Sequence, residues 1–289
     1  MLQRHRGLLP WLLLGPGLIW LVLFFLLPLY YMGRVSLLEG SDLEGYQFTW
    51  HFDTYIDAFN NYKTQFGRSL VYAGAATAIA LAIGYPLAYV IALRAGKWRN
   101  ALLLLVILPF FTTYLVRTLA WETILDDRSV VVDVLKSLGL VAQDGRVLAT
   151  AGAVIAGLTY NFLPFMILPL YAAIQRIDRS MLEAAYDLYG NRRQVFLHVT
   201  LPMSMPGVVA GVLLTFIPAA GDFVNAELLG SPQQTMIGNV IQSRYLEVTD
   251  YPTAAALSFM LMALILAMVA VWARIAGTEA LMGAEGEAK

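Results

Sequence analysis

The chain has 289 residues, 59% of them hydrophobic and only 13% charged, about half the charged share usual in soluble domains. Surface-to-volume scaling leaves a soluble fold of this length unable to hide so much apolar side chain, and an aromatic content of 12% excludes a disordered chain. Cysteine is absent, which removes a disulfide framework, a thiolate metal site and a cysteine nucleophile; the net charge of −1 says little until it is divided between the sides of a membrane.

Six mainly apolar, uncharged runs are long enough to cross about 30 Å of hydrocarbon, which takes roughly 17–25 helical residues. In chain order they are 7–33, 69–93, 100–116, 147–175, 199–221 and 251–273, and together they hold 144 residues, half the chain. None alternates with the period of two that a barrel strand requires, so helices must satisfy the backbone in lipid. The expected fold is an all-α membrane protein with six transmembrane helices, a single integral domain over 1–289.

The first run follows Arg4 and Arg6, as the core of a signal peptide would. At 27 residues it exceeds a cleavable core, and Met32-Gly33-Arg34-Val35 is a poor cleavage site, so it reads as a retained first span. The third run is just long enough, and its helix should continue past Arg117 to about residue 122. There Trp121 reads as an interface anchor, and Glu122 as either a cation contact or a solvated acid. Arg117 either pairs with an acid or snorkels to the surface; facing inward, it would repel a cation. In the fourth run, Asn161 either glues helices together or binds a ligand, and Tyr160 either packs or offers its ring face to a cation.

The segment 176–200 is the one long connection on its side of the membrane. Ser180-x-x-Glu183 reads as a capping box. Leu182, Ala185, Tyr186 and Tyr189 share one helical face, and Gly190 suits a helix end. Asn191-x-x-Gln194 can open a second short helix carrying Val195, Phe196 and Val199. An apolar face exposed there buries in the headgroup region, on its own bundle or on a partner protein. Pro202 and Pro206 then start the fifth span, about 202–224. Asp222 lies about 24 Å along it at roughly 1.5 Å per residue, with Pro218 and Gly221 expected to interrupt the helix first. Asp222, Asn225 and Glu227 are either pathway groups for a cation or the start of an outer loop. The sixth span covers about 251–274.

Basic residues set orientation. With the N-terminus inside, the inner segments hold eleven Lys and Arg in 51 residues and the outer segments eight in 94, so both termini should be cytoplasmic. Acids bring the balance to +5 inside and −6 outside. The acidic outer side is either simply solvated or concentrates cations. The three histidines, His5, His51 and His198, are far apart, and no catalytic, metal-ligand or phosphate-loop motif is present. An enzyme or a nucleic-acid binder is therefore not expected, and uphill transport would draw on an ion gradient or a separate ATPase.

The loop resembles the coupling loop of permease subunits from ATP-binding-cassette importers, whose pattern is Glu-Ala-Ala, three residues, Gly, nine residues, Ile-x-Leu-Pro. Here Glu183, Ala184 and Ala185 are followed at the same overall spacing by Val199-x-Leu201-Pro202. Tyr189 occupies the family's glycine position and Gly190 comes one place later, which bears on the turn between the short helices. The resemblance implies that Glu183, Ala184, Ala185, Asp187, Tyr189, Gly190, Val199, Leu201 and Pro202 couple the chain to a cytoplasmic ATPase. Pro109-Phe110-Phe111-Thr112, the stretch Leu163 to Tyr171, Gly221-Asp222-Phe223 and the stretch Met236 to Gln242 resemble the spermidine/putrescine branch, on the side of the first of its two permease subunits. That branch implies a type I importer permease in the bacterial inner membrane, without a cofactor of its own, since ATP and magnesium bind the partner ATPase. It further implies a second, different permease, two ATP-binding subunits and an extracytoplasmic solute-binding protein. The substrate-facing residues would then come from Asp222, Asn225, Glu227, Tyr160, Asn161, Trp121 and Glu122. Rival readings are an importer permease for a sugar or amino acid, and a secondary transporter. The second would predict deep carboxylates or histidines and an inverted repeat, and neither is visible.

Overall fold

The structure, a computed structural model, describes residues 9–41 and 45–276. The expected start of the first span, the residues Arg4, His5 and Arg6, and Lys289 lie outside the described residues. Among the described residues, five helices are long and apolar enough to cross a membrane, and a sixth crossing is present if one bent pair counts as a single span.

Helices α1 (Leu9–Leu21) and α2 (Leu27–Val35) are joined by a π-helical turn, Val22–Leu26. The same device recurs at Phe196–Thr200. Each π turn is followed at the second residue by proline, Pro28 or Pro202. Proline has no N–H to give. The turn before it widens, so that Leu27 N–H donates to Val22 O and Leu201 N–H to Phe196 O, five residues back. A short hairpin, β1 (Leu38–Ser41) and β2 (Gly45–Phe48), pairs antiparallel with Leu38 opposite Phe48.

Helix α3 (Asp53–Leu93) runs for 41 residues, about 60 Å at 1.5 Å per residue. The expected second span is only its C-terminal part. Helix α4 (Arg99–Ile107), a 3-10 turn (Leu108–Phe111) and α5 (Tyr114–Leu125) form the bent pair, with 94° between its arms. The expected continuous third helix is therefore broken. Pro109 lies in the tight turn, and Thr112 and Thr113 take extended ψ angles of 148° and 149°. The Pro109 carbonyl accepts twice from Thr112, from its backbone N–H at 3.2 Å and from its hydroxyl at 2.7 Å, which closes the turn at the break.

Helix α6 (Val130–Ser137) precedes α7 (Ala151–Gln175), which starts at Thr150, whose Oγ1 accepts from Ala153 N–H at 3.2 Å. Then come α8 (Arg179–Tyr189), α9 (Arg192–Val195), α10 (Leu201–Ala220), α11 (Val224–Leu229), α12 (Ile237–Leu246) and α13 (Tyr251–Ala276). Pro218 does not interrupt α10; the helix carries it and ends at Gly221. Membrane helices carry proline where neighbouring groups satisfy the freed carbonyl, as α7 also does at Pro164 and Pro169.

Two compact units divide the described chain: residues up to Tyr62 with Ile241–Met262, and Lys63–Val240 with residues from Ala263 on. In the first, the Ser36 hydroxyl donates to Gly33 O at 2.7 Å and meets the Tyr55 hydroxyl at 2.6 Å. The Tyr46 hydroxyl donates to Thr249 O at 2.6 Å.

In the second unit α7 and α10 lie in close contact. A Cβ on Gly207 would come within 2.5 Å of Ala173 Cβ and 2.7 Å of Pro169 O; one on Gly211 would come within 2.8 Å of Met166 Sδ. Residues four apart share a helix face. This small-residue seam lets two backbones approach where lipid offers no hydrophobic drive to helix association. Met166, Ile167, Leu170 and Ile174 from α7 fill the core beside it with Val208 from α10.

Candidate functional site

A buried polar network links α5, α7, α11 and the turn between α10 and α11. Asp222 is two residues past the end of α10 and only 8% exposed. Its Oδ2 accepts from the Tyr114 hydroxyl. Its Oδ1 accepts from Asn225 N–H at 2.8 Å and from Asn225 Nδ2 at 3.2 Å. Asn225 Nδ2 also donates to the Tyr114 oxygen. Asn161 Nδ2 donates to Thr118 Oγ1 and to Asn225 Oδ1, both at 3.1 Å. Buried polar groups of this kind must find such partners. The backbone makes room for them, since a Cβ on Gly157 would come within 2.6 Å of Asn225 Oδ1. Asn161 Oδ1 is buried without a donor among the described residues.

The structure thus brings together three of the expected pathway residues, Asp222, Asn225 and Asn161. Trp121 and Tyr160 form a second pair, with ring centroids 5.4 Å apart. Glu122 is half-buried on α5, and Glu227 is exposed on α11, outside the network. Tyr114 and Thr118 complete the network and were not singled out from the sequence. Their spacing of four places them on one face of α5. That periodicity was the available signal, but nothing local says which helix the face meets. In this arrangement the carboxylate is held by neutral donors. No cation among the described residues pairs with it, so an ammonium group would find an unclaimed acceptor there.

The loop between α7 and α10 differs locally from the expected capping box. Helix α8 begins at Arg179, and Asp178 is its cap, Oδ1 accepting from Ser180 N–H at 3.0 Å. A carboxylate two residues earlier takes the role from the Ser180 hydroxyl and also suits the positive helix end. Ala185 is buried, Leu182 half-buried and Tyr186 exposed, while Met181 and Leu188 stand outward. Glu183, Ala184 and Asp187 are exposed; the side chain of Tyr189 lies outside the described residues.

Gly190 ends α8 at φ 66°, its N–H donating to Tyr186 O at 2.8 Å. A left-handed residue is needed there, and glycine takes it without a Cβ clash. Asn191 Oδ1 accepts from Gln194 N–H at 2.8 Å and opens α9 as expected. The second short helix is not separate, however. It continues through the π turn into α10, giving one apolar helix over Arg192–Ala220. Val199 and Leu201 are half-buried and Pro202 is exposed along it. Between the end of α3 and α8 lies a groove of about 590 Å³, bordered by Tyr89, Arg94, Glu183, Tyr186 and Arg192.

Comparison with known proteins places this geometry. Residues 80–276 match the family described as binding-protein-dependent transport system inner membrane component. The chain is 40% identical over 256 residues to the spermidine/putrescine transport system permease protein PotB of Haemophilus influenzae, covering 88% of this chain and 90% of that one. It is 37% identical over 243 residues to the PotB of Escherichia coli, covering 84% and 88%. In fold it resembles a bacterial ABC transporter that imports the acidic polysaccharide alginate, with a TM-score of 0.68 at 21% identity over 94% of this chain and 96% of that one. The alginate transporter in complex with its pentasaccharide-bound periplasmic protein gives 0.69 at 19% identity, covering 95% and 96%.

Proposed function

We infer the function from one premise: the chain belongs to the family of binding-protein-dependent transport system inner membrane components, the permeases of ABC importers. On that premise we propose that it forms half of a translocation pathway for polyamines, spermidine or putrescine. The observation that carries the cargo is the 40% identity to a spermidine/putrescine permease across 88% of the chain. The Asp222 network adds a buried carboxylate of the right sign, and the acidic outer segments would raise the local concentration of a polycation.

The full assembly we propose has this chain as one permease domain, a second and different permease, two cytoplasmic ATPases that bind ATP and magnesium, and an extracytoplasmic solute-binding protein. Both termini and α8 face the cytoplasm in this reading. The exposed positions Glu183, Ala184, Asp187 and Leu188 meet the ATPase, and Gly190 with Val199, Leu201 and Pro202 carry the movement into α10. On the pathway side, Asp222, Asn225 and Asn161 form the polar contact, and Trp121 with Tyr160 offers ring faces to an ammonium group. Glu122 and Glu227 would attract the cation from further out. The energy enters as contacts that differ between two global states, and this chain performs no hydrolysis of its own.

The test is uptake of labelled putrescine and spermidine by cells that depend on this chain. Sugars, amino acids and the other polyamine serve as competitors. Uptake that polyamines alone compete away supports the cargo, and competition by a sugar or amino acid instead overturns it.

A further inference from the structure

Arg117 is only 9% exposed, and no carboxylate among the described residues lies within ion-pair distance of it. Its Nε and Nη1 are buried without an acceptor. The guanidinium lies over the Phe110 ring at 4.7 Å and the Tyr114 ring at 5.7 Å. Ring faces steady its plane but do not accept the in-plane N–H bonds, of which arginine has five. The side chain lines a cavity of about 340 Å³ between α3, α4 and α7. Apart from Arg117 and the Tyr160 hydroxyl, the walls are apolar, including Leu102, Val106, Leu163 and Ile167. Leu87, Val90 and Leu105 at its edge are exposed.

An arginine does not shed its proton in a protein, and a buried unpaired charge is strongly unfavourable. Among the described residues only the two ring faces offset it, and neither accepts its in-plane N–H groups. A polyamine has the same sign and would be repelled, while a phosphate headgroup could pair with the fork but brings bulky polar substituents that these apolar walls leave unsatisfied. The geometry fits a single carboxylate arriving inside an apolar plug, which is the make-up of a protein interface core with a desolvated anchor.

We propose that an acidic side chain of the second permease subunit enters this cavity and pairs with Arg117. The cavity mouth is then part of the seam between the two permeases. The proposal rests on the reading above only for the existence of that second permease, not for the cargo.

The experiment uses the whole complex, with this chain co-expressed with its second permease, ATPase and binding protein. A photo-reactive benzoylphenylalanine replaces Leu105 in one variant and Leu163 in another, both with Arg117 intact. After irradiation the captured peptides are sequenced. The expected result is a peptide of the second permease with Asp or Glu within four residues of the captured position. Changing that acid to its amide should weaken co-purification of the two permeases about as much as Arg117→Gln does, and the double change should add less than twofold further. Capture of lipid, of the ATPase, of the binding protein or of this chain alone overturns the proposal, as does full co-purification of Arg117→Gln with an unchanged melting temperature. A complex that purifies without any second permease overturns the proposed assembly itself, while a cargo other than a polyamine leaves the pairing standing.

Discussion

Asp222 accepts three hydrogen bonds and Asn225 joins it to Asn161, so each partner can be removed separately. Tyr114→Phe deletes one donor and leaves the ring. Interhelical hydrogen bonds in membranes are worth about 0.6–2 kcal/mol, so this variant should still insert but melt several degrees lower in detergent. Asp222→Asn keeps the shape and removes the charge. If the carboxylate receives the cargo, uptake should fall at least tenfold with a smaller thermal shift than Tyr114→Phe gives; unchanged uptake would reduce Asp222 to a structural tie. At this scale the sequence was half legible. Asn161 and Tyr160 stand out inside an apolar run, and Asp222 and Asn225 just past the end of one, because polar groups at that depth are costly. The hydroxyls of Tyr114 and Thr118 did not, because their partners are more than forty residues away in the chain, and only packing brings them together.

Among the elements, the helices were legible wherever apolar length alone decided them, as for α7 and α13. The break between α4 and α5 was hidden because Pro109 and two threonines are each tolerated inside membrane helices, and their combined effect depends on a neighbour that accepts the bend. Ser180 looked like the cap of α8 because serine followed by glutamate fits the capping pattern, but the better acceptor at Asp178 displaced it. The seam at Gly207 and Gly211 gives the sharpest element-scale expectation. Gly211→Leu would drive a side chain into Met166, an overpacking that costs about 1–3 kcal/mol. The melting temperature should fall and uptake with it, whereas Leu214→Ala, at an exposed position of the same helix, should leave both near wild type.

For the molecule as a whole, the division of charge across the membrane fixes the proposed orientation. A cysteine-free chain suits single-cysteine labelling. Leu140→Cys should react with an impermeant maleimide on intact cells, and Ser180→Cys only after the membrane is opened; the reverse pattern would invert the topology. The chemistry of coupling was legible only through resemblance, since exposed residues such as Glu183 and Leu188 have no reason on this chain alone to be where they are. The small-residue seam has a mechanical consequence for them. Helix α8 is the connector between α7 and α10, and those two are interlocked at Gly207 and Gly211. In the proposed assembly, a force applied to α8 would meet two anchors packed closely against each other and would tilt both together as one lever arm. The stroke at the far end of that arm, where α10 stops and Asp222 begins, then scales with the arm's length and not with the compliance of the loop.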